Sequence, residues 1–101
     1  MIPVEKVREI ISKHEVLEKE LSSNKVDKKN FARISKEYSD LNEILICAKE
    51  FLNFYETEKD LEKIINDSSS EEEMRELAKI ELDELKKNKI INEKKLKLFL
   101  L

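Results

Sequence analysis

Along most of this chain the apolar residues return every third or fourth position, the period of one helix face rather than the alternation of a strand. The first stretch carries Val7, Ile10, His14, Leu17 and Leu21 in that rhythm, with Ile11 beside it. Pro3 suits an opening turn, where its missing N–H leaves nothing unsatisfied. "SSNK" at 22–25 breaks the pattern, because Ser and Asn side chains compete with the helix for backbone hydrogen bonds. A first helix is predicted over about 3–22.

Asp27 has the chemistry of an N-cap, and the next break comes only at "NDSSS", 66–70. A second helix is therefore predicted over about 28–66, with two apolar stripes. One reads Phe31, Ile34, Tyr38, Leu41, Leu45, Ala48, Leu52, Tyr55. The other reads Ile44, Cys47, Phe51, Phe54, then Glu58, Leu61, Ile65. They overlap between residues 44 and 55, where the helix should be apolar on two sides. Leu45 and Phe51 are thus expected to be buried on different faces.

A third helix is predicted over about 71–98. Ser70 and Glu73 have capping-box spacing, and Glu71, Glu72 and Glu73 complement the positive end of the helix dipole. Met74, Leu77, Ala78, Leu82 and Leu85 read as its inner face, and the pattern blurs beyond Ile90 and Ile91. Lys86, Lys87, Lys89, Lys94, Lys95 and Lys97 crowd the far end, the favourable sign for a helix C-terminus. Short connections make neighbouring helices antiparallel. With the same rise per residue in each, the first helix covers only the first half of the second, and the third returns along the rest. The predicted fold is all-α, an elongated antiparallel three-helix bundle with coiled-coil-like packing, forming a single helical domain over 1–101. Part of the strip Ala48, Leu52 and Tyr55 should stay uncovered, which predicts weak self-association through the Leu52–Tyr55 region.

Composition narrows the picture further. The 101 residues include no glycine, one proline and 43% charged side chains. Phosphate loops and tight hairpins need glycine's positive φ, so a glycine-free chain points to helices. A net charge of −3 with the signs mixed argues against a DNA-binding or membrane-surface module. The opening "MIPVEKVREI" is too interrupted by charge for a secretion signal, and the closing "LFLL" is too short to span a bilayer. The single cysteine permits no internal disulfide, and a cytoplasmic location is the expectation.

The candidate chemistry is sparse. His14 lies on an apolar stripe without a second ligand at metal spacing, and reads as a seam residue. Cys47 reads as a small core residue rather than a nucleophile. Phe31, Tyr38, Phe51, Phe54 and Tyr55 recur at seam spacing without interleaved arginine, so they read as core, not as a base-stacking platform. The chain has no phosphate loop, no paired-cysteine motif, no HExxH and no workable Ser–His–Asp set. No catalytic, cofactor-binding or metal residues are predicted, no cofactor is implied, and the chain reads as a structural or interaction module rather than an enzyme.

The wording of three segments is more specific. "EMRELAKIEL" (73–82), "RISKEYSDLNEI" (33–44) and "KHEVLEKEL" (13–21) resemble, in order, signatures of the N-terminal domain of the bacterial peptide chain release factor 1 family. The closing "LKLFLL" resembles the leucine run where that family passes into its central domain. The likeness covers nearly all of the chain. It implies a part in translation termination at UAA and UAG codons, on the ribosome near the stalk base, in cooperation with a GTPase release factor. The family's catalytic Gly-Gly-Gln loop and its codon-reading Pro-x-Thr tripeptide have no counterpart here. The chain lacks glycine, its only threonine is Thr57 and its only proline is Pro3. The resemblance thus implies the first domain alone, without the central and catalytic domains. The competing reading is a stand-alone helical adaptor that binds a protein partner. A reading frame that continues past Leu101 into a Gly-Gly-Gln domain favours the first, and a stop codon there favours the second.

Overall fold

The computed structural model describes residues 2–100, which form three helices and, among the described residues, no strand: α1 (Val4–Ser22), α2 (Lys28–Asn66) and α3 (Glu72–Leu100). α2 spans the expected residues, α1 starts one residue later than expected, and α3 starts one residue later and ends two residues later. The chain divides into two compact units, the first running to Lys49 and the second from Glu50, so the division falls inside α2.

In the first unit α1 packs with the opening part of α2. Pro3, with φ −65° and ψ 133°, precedes α1, and its carbonyl accepts from the N–H of Lys6 at 3.1 Å. Val7, His14 and Leu17 are buried, and Ile10, Ile11 and Leu21 are half-buried, so the three-and-four rhythm marks the inner face of α1 correctly. α1 ends in a left-handed residue, Asn24 at φ +58°. Glycine normally takes this position, and asparagine is the residue that tolerates it next best. The hydroxyls of Ser22 and Ser23 donate to the carbonyls of Glu18 and Glu20 at 2.9 and 2.7 Å, which closes the helix end as the "SSN" wording suggests. Asp27 then caps α2: its Oδ1 accepts the Asn30 N–H at 2.8 Å, and its carbonyl accepts the Phe31 N–H at 2.9 Å.

Along α2 in this unit Ile34, Cys47 and Ala48 are buried. Cys47 and Ala48 are adjacent and belong to different stripes, so α2 is indeed apolar on two sides here. Two expectations need correction. Phe31, first of its stripe, is half exposed; spacing identifies a face but not how far the covering helix reaches along it. Leu45 is half-buried rather than buried, because it opens onto a surface hollow that Ile11, Glu15 and Lys49 also line.

In the second unit the remainder of α2 packs with α3. Leu61, Ala78 and Leu85 form a buried cluster against which Phe54, Ile64, Ile65 and Leu82 pack. Phe51 is also buried, and Leu96 is fully so. Burying one such leucine is worth about 1.5–3 kcal/mol. The inner face of α3 runs Ala78, Leu82, Leu85, Lys89, Asn92, Leu96, in steps of four and three throughout. Met74 and Leu77, expected inside, are exposed. Leu52 and Tyr55 are half-buried, with the Lys59 ammonium 4.4 Å from the centre of the Tyr55 ring.

The link between α2 and α3 also departs from expectation. Glu71, not Ser70, stands at the cap position, and its carbonyl accepts the first helical N–H, from Arg75, at 3.1 Å. The serines are engaged instead by Asp67. Its Oδ1 accepts the Ser69 N–H at 2.9 Å and the Ser69 hydroxyl at 2.6 Å, and its carbonyl accepts the Ser70 N–H at 3.1 Å. An aspartate two residues upstream draws these donors into an Asx-type turn before the capping box can form.

Candidate functional site

The residues singled out for possible chemistry are engaged in packing. His14 is buried on α1 and stacks on Tyr38 of α2, ring centres 4.7 Å apart and planes 24° from parallel. Its Nε2 is hydrogen bonded to Asn42 Oδ1 at 2.5 Å. The ring acts as a polar pin between the two helices of the first unit. Cys47 is buried. Phe51 is buried, Phe54 and Tyr55 are half-buried, and Phe31 is the most exposed of these aromatic rings.

The structure adds a site that apolar spacing passes over. The blur beyond Ile90 arises because the inner face of α3 becomes polar at Lys89 and Asn92 while Ile90 and Ile91 turn outward. Lys89 therefore does not belong with the solvated lysines of the helix end. Its Nζ donates to Glu58 Oε2 at 2.7 Å, and the two side chains are only 24% and 20% exposed. Asn92, buried, donates from Nδ2 to Glu50 Oε2 at 3.4 Å. The signal was present in the sequence: Glu58 stands on an otherwise apolar stripe of α2, and a carboxylate in a seam requires a donor opposite.

The other ion pairs run along a single helix. Glu5–Arg8, Glu15–Lys19, Arg33–Glu37, Glu76–Lys79 and Glu84–Lys87 are three or four residues apart and exposed. Pairs of this kind contribute about 0–1 kcal/mol each. Asp67 is different in its chemistry though equally exposed. The two bonds from Ser69, joined by smaller contributions from Ser70 and Arg75, hold its carboxyl below the ordinary aspartate range. Among the described residues no group of three or more His, Cys, Asp and Glu is placed to hold a metal ion, and no helix is long and apolar enough to cross a membrane. What the arrangement offers a partner is surface: exposed apolar side chains on α3 (Leu77, Ile80, Ile91 and Leu98), with Val16 on α1 and Ile46 on α2.

The comparisons with known proteins agree with one another. The chain is 54% identical, over its whole length, to peptide chain release factor 1 of Pelagibacter ubique. It is 35% identical over 101 aligned residues, 96% of the chain, to the factor of the same name from Lachnoclostridium phytofermentans. With that of Alkaliphilus oremlandii it shares 31% identity over 97% of its length. The chain spans 28%, 27% and 28% of the length of these three relatives. No solved structure matches it. The sequence model of the PCRF domain matches residues 10–101, which takes in all of α2 and α3 and most of α1, and on that match the chain belongs to the PCRF domain family.

Proposed function

We propose that this chain is a non-catalytic interaction module of a peptide chain release factor, acting on the ribosome during translation termination. The observation that carries the proposal is the PCRF match over residues 10–101, together with whole-chain identity to proteins named peptide chain release factor 1. Stop-codon recognition and peptide release belong, on this reading, to parts of the factor outside the 28% of its length that this chain spans. The stalk base of the ribosome and a GTPase release factor are the proposed contacts. The engagement of the residues supports a non-catalytic role: the histidine is stacked and hydrogen bonded, the cysteine is buried, and Glu15 and Glu84 pair with lysines on exposed helix faces. The comparisons do not favour the stand-alone adaptor.

Two assays test this proposal. The isolated chain, added to ribosomes paused at UAA, releases no more peptide than a control without factor; release above that control overturns the non-catalytic assignment. A release factor lacking the segment equivalent to residues 1–101 should still release peptide but respond less to the GTPase factor. An unchanged response would remove the GTPase factor from the proposal.

A further inference from the structure

We infer that the groove between α2 and α3 around Ile80 docks a basic amphipathic helix of a protein that the factor meets on the ribosome, in preference to ribosomal RNA. The inference rests on the release-factor reading and deepens it, by naming the face used and the chemistry of what it takes. Two hollows in the second unit share Ile80. One, of about 400 Å³, lies between the helices and is lined in part by Phe54 of α2 and by Glu81, Leu85 and Asn88 of α3. The other, of about 470 Å³, runs along the start of α3 past Glu72, Glu73, Glu76 and Leu77. Their apolar side chains descend in steps: Ile80 is 63% and Leu77 59% exposed, Phe54 is half-buried and Leu85 is buried. From Glu72 to Asn88 the two hollows follow about 24 Å of helix, a length along which the apolar face of a partner helix can lie.

The rim decides what lies there. Every charged side chain that lines the two hollows is a glutamate. Glu76 and Glu84 already reach Lys79 and Lys87 of their own helix, at 3.4 and 3.8 Å. Glu72, Glu73 and Glu81 are exposed and make no ion pair among the described residues, so they are the groups left to receive an incoming cation. An RNA backbone carries its charge on phosphates, which this rim repels along its whole length. A bare cation would leave Phe54, Leu77 and Ile80 unused. A helix whose apolar stripe is flanked by lysine or arginine satisfies both the floor and the rim, and the charges fix its orientation.

Photo-crosslinking of the whole release factor, on ribosomes halted at UAA, tests the surface. Benzoylphenylalanine replaces Asn88 at the groove, or Lys86 on the opposite side of α3 as the control. The expected result is a crosslink from position 88 to a protein, at a segment with lysine or arginine beside apolar residues, and a weaker one from position 86. Glu81→Lys and Ile80→Asn should each lower the yield at position 88 about tenfold, with the melting temperature unchanged because both side chains are exposed. A crosslink to ribosomal RNA overturns the inference. So does no crosslink from position 88, or one that survives both substitutions. Deleting residues 1–101 separates the two readings. A factor whose response to the GTPase factor is unchanged by the deletion overturns the interaction-module reading and the groove with it. A factor impaired by the deletion, but not by Glu81→Lys or Ile80→Asn, overturns the groove alone.

Discussion

Lys89 and Glu58 form a charged rung in an otherwise apolar seam, and the energetics of such a pair are asymmetric. Leaving one partner alone and partly desolvated is costly, while replacing both by apolar groups of similar shape is often neutral. At 20% and 24% exposure solvent screens part of the effect, so Glu58→Ala should lower stability by about 1–3 kcal/mol in a urea melt. Exchanging the two charges should recover most of that loss; no recovery would show that the pair contributes nothing specific. A second test reads the phase of α3 directly. Leu96 is fully buried and Leu98 is exposed. Leu96→Ala should cost about 2–5 kcal/mol, and Leu98→Ala less than about 0.5 kcal/mol in the monomer. At this scale the sequence was legible wherever an apolar residue carried the face, as at Val7, Leu17, Ala78 and Leu85. It was misleading at Met74 and Leu77, where hydrophobicity marks a surface, silent at Asn92, and indirect at Lys89, which only Glu58 on the facing stripe announces.

Each helix end is set by short-range hydrogen bonding, and here one expectation held while another failed for a definable reason. Asp27 caps α2 as its position suggests, and Asp27→Ala should cost about 0.5–2 kcal/mol. Ser70 does not cap α3, because Asp67 competes for the same serines. Asp67→Ala should therefore disturb the start of α3 more than Ser70→Ala does, read as amide shift changes over residues 68–75. The Asp67 carboxyl titrates below its ordinary value because Ser69 donates to its charged form. A depressed acid favours the folded turn above the unfolded pKa, about 3.9, and that contribution is lost as pH falls through the folded pKa. An NMR titration followed at the Ser69 amide should show a midpoint below that of an unstructured aspartate. A midpoint at or above it would mean that the Asx turn does not persist in solution. Both aspartates could be recognised as turn or cap residues in the sequence; which serines they would capture depended on competing local geometries that spacing alone does not rank.

For the molecule as a whole, three helices and their limits followed from periodicity and breaks, and the family was legible in segments such as "EMRELAKIEL". That segment contains Leu77 and Ile80 on the outward face and Ala78 and Leu82 on the inward one, so its wording spans both packing and surface. The exposed apolar face of α3 was not legible, because an outward apolar stripe and an inward one have the same spacing. Only burial separates them. The position of the unit boundary has a further consequence. α2 is one continuous helix, yet residues up to Lys49 belong to one packing unit and those from Glu50 to another. Backbone amide exchange is governed by the opening of the structure around each amide, not by helix continuity alone. If the α3 seam is weakened by Leu61→Ala, deuterium uptake should rise from Glu50 to Asn66 and change little from Asn30 to Lys49. A single helix would then carry two exchange clocks, one regulated by α1 and the other by α3.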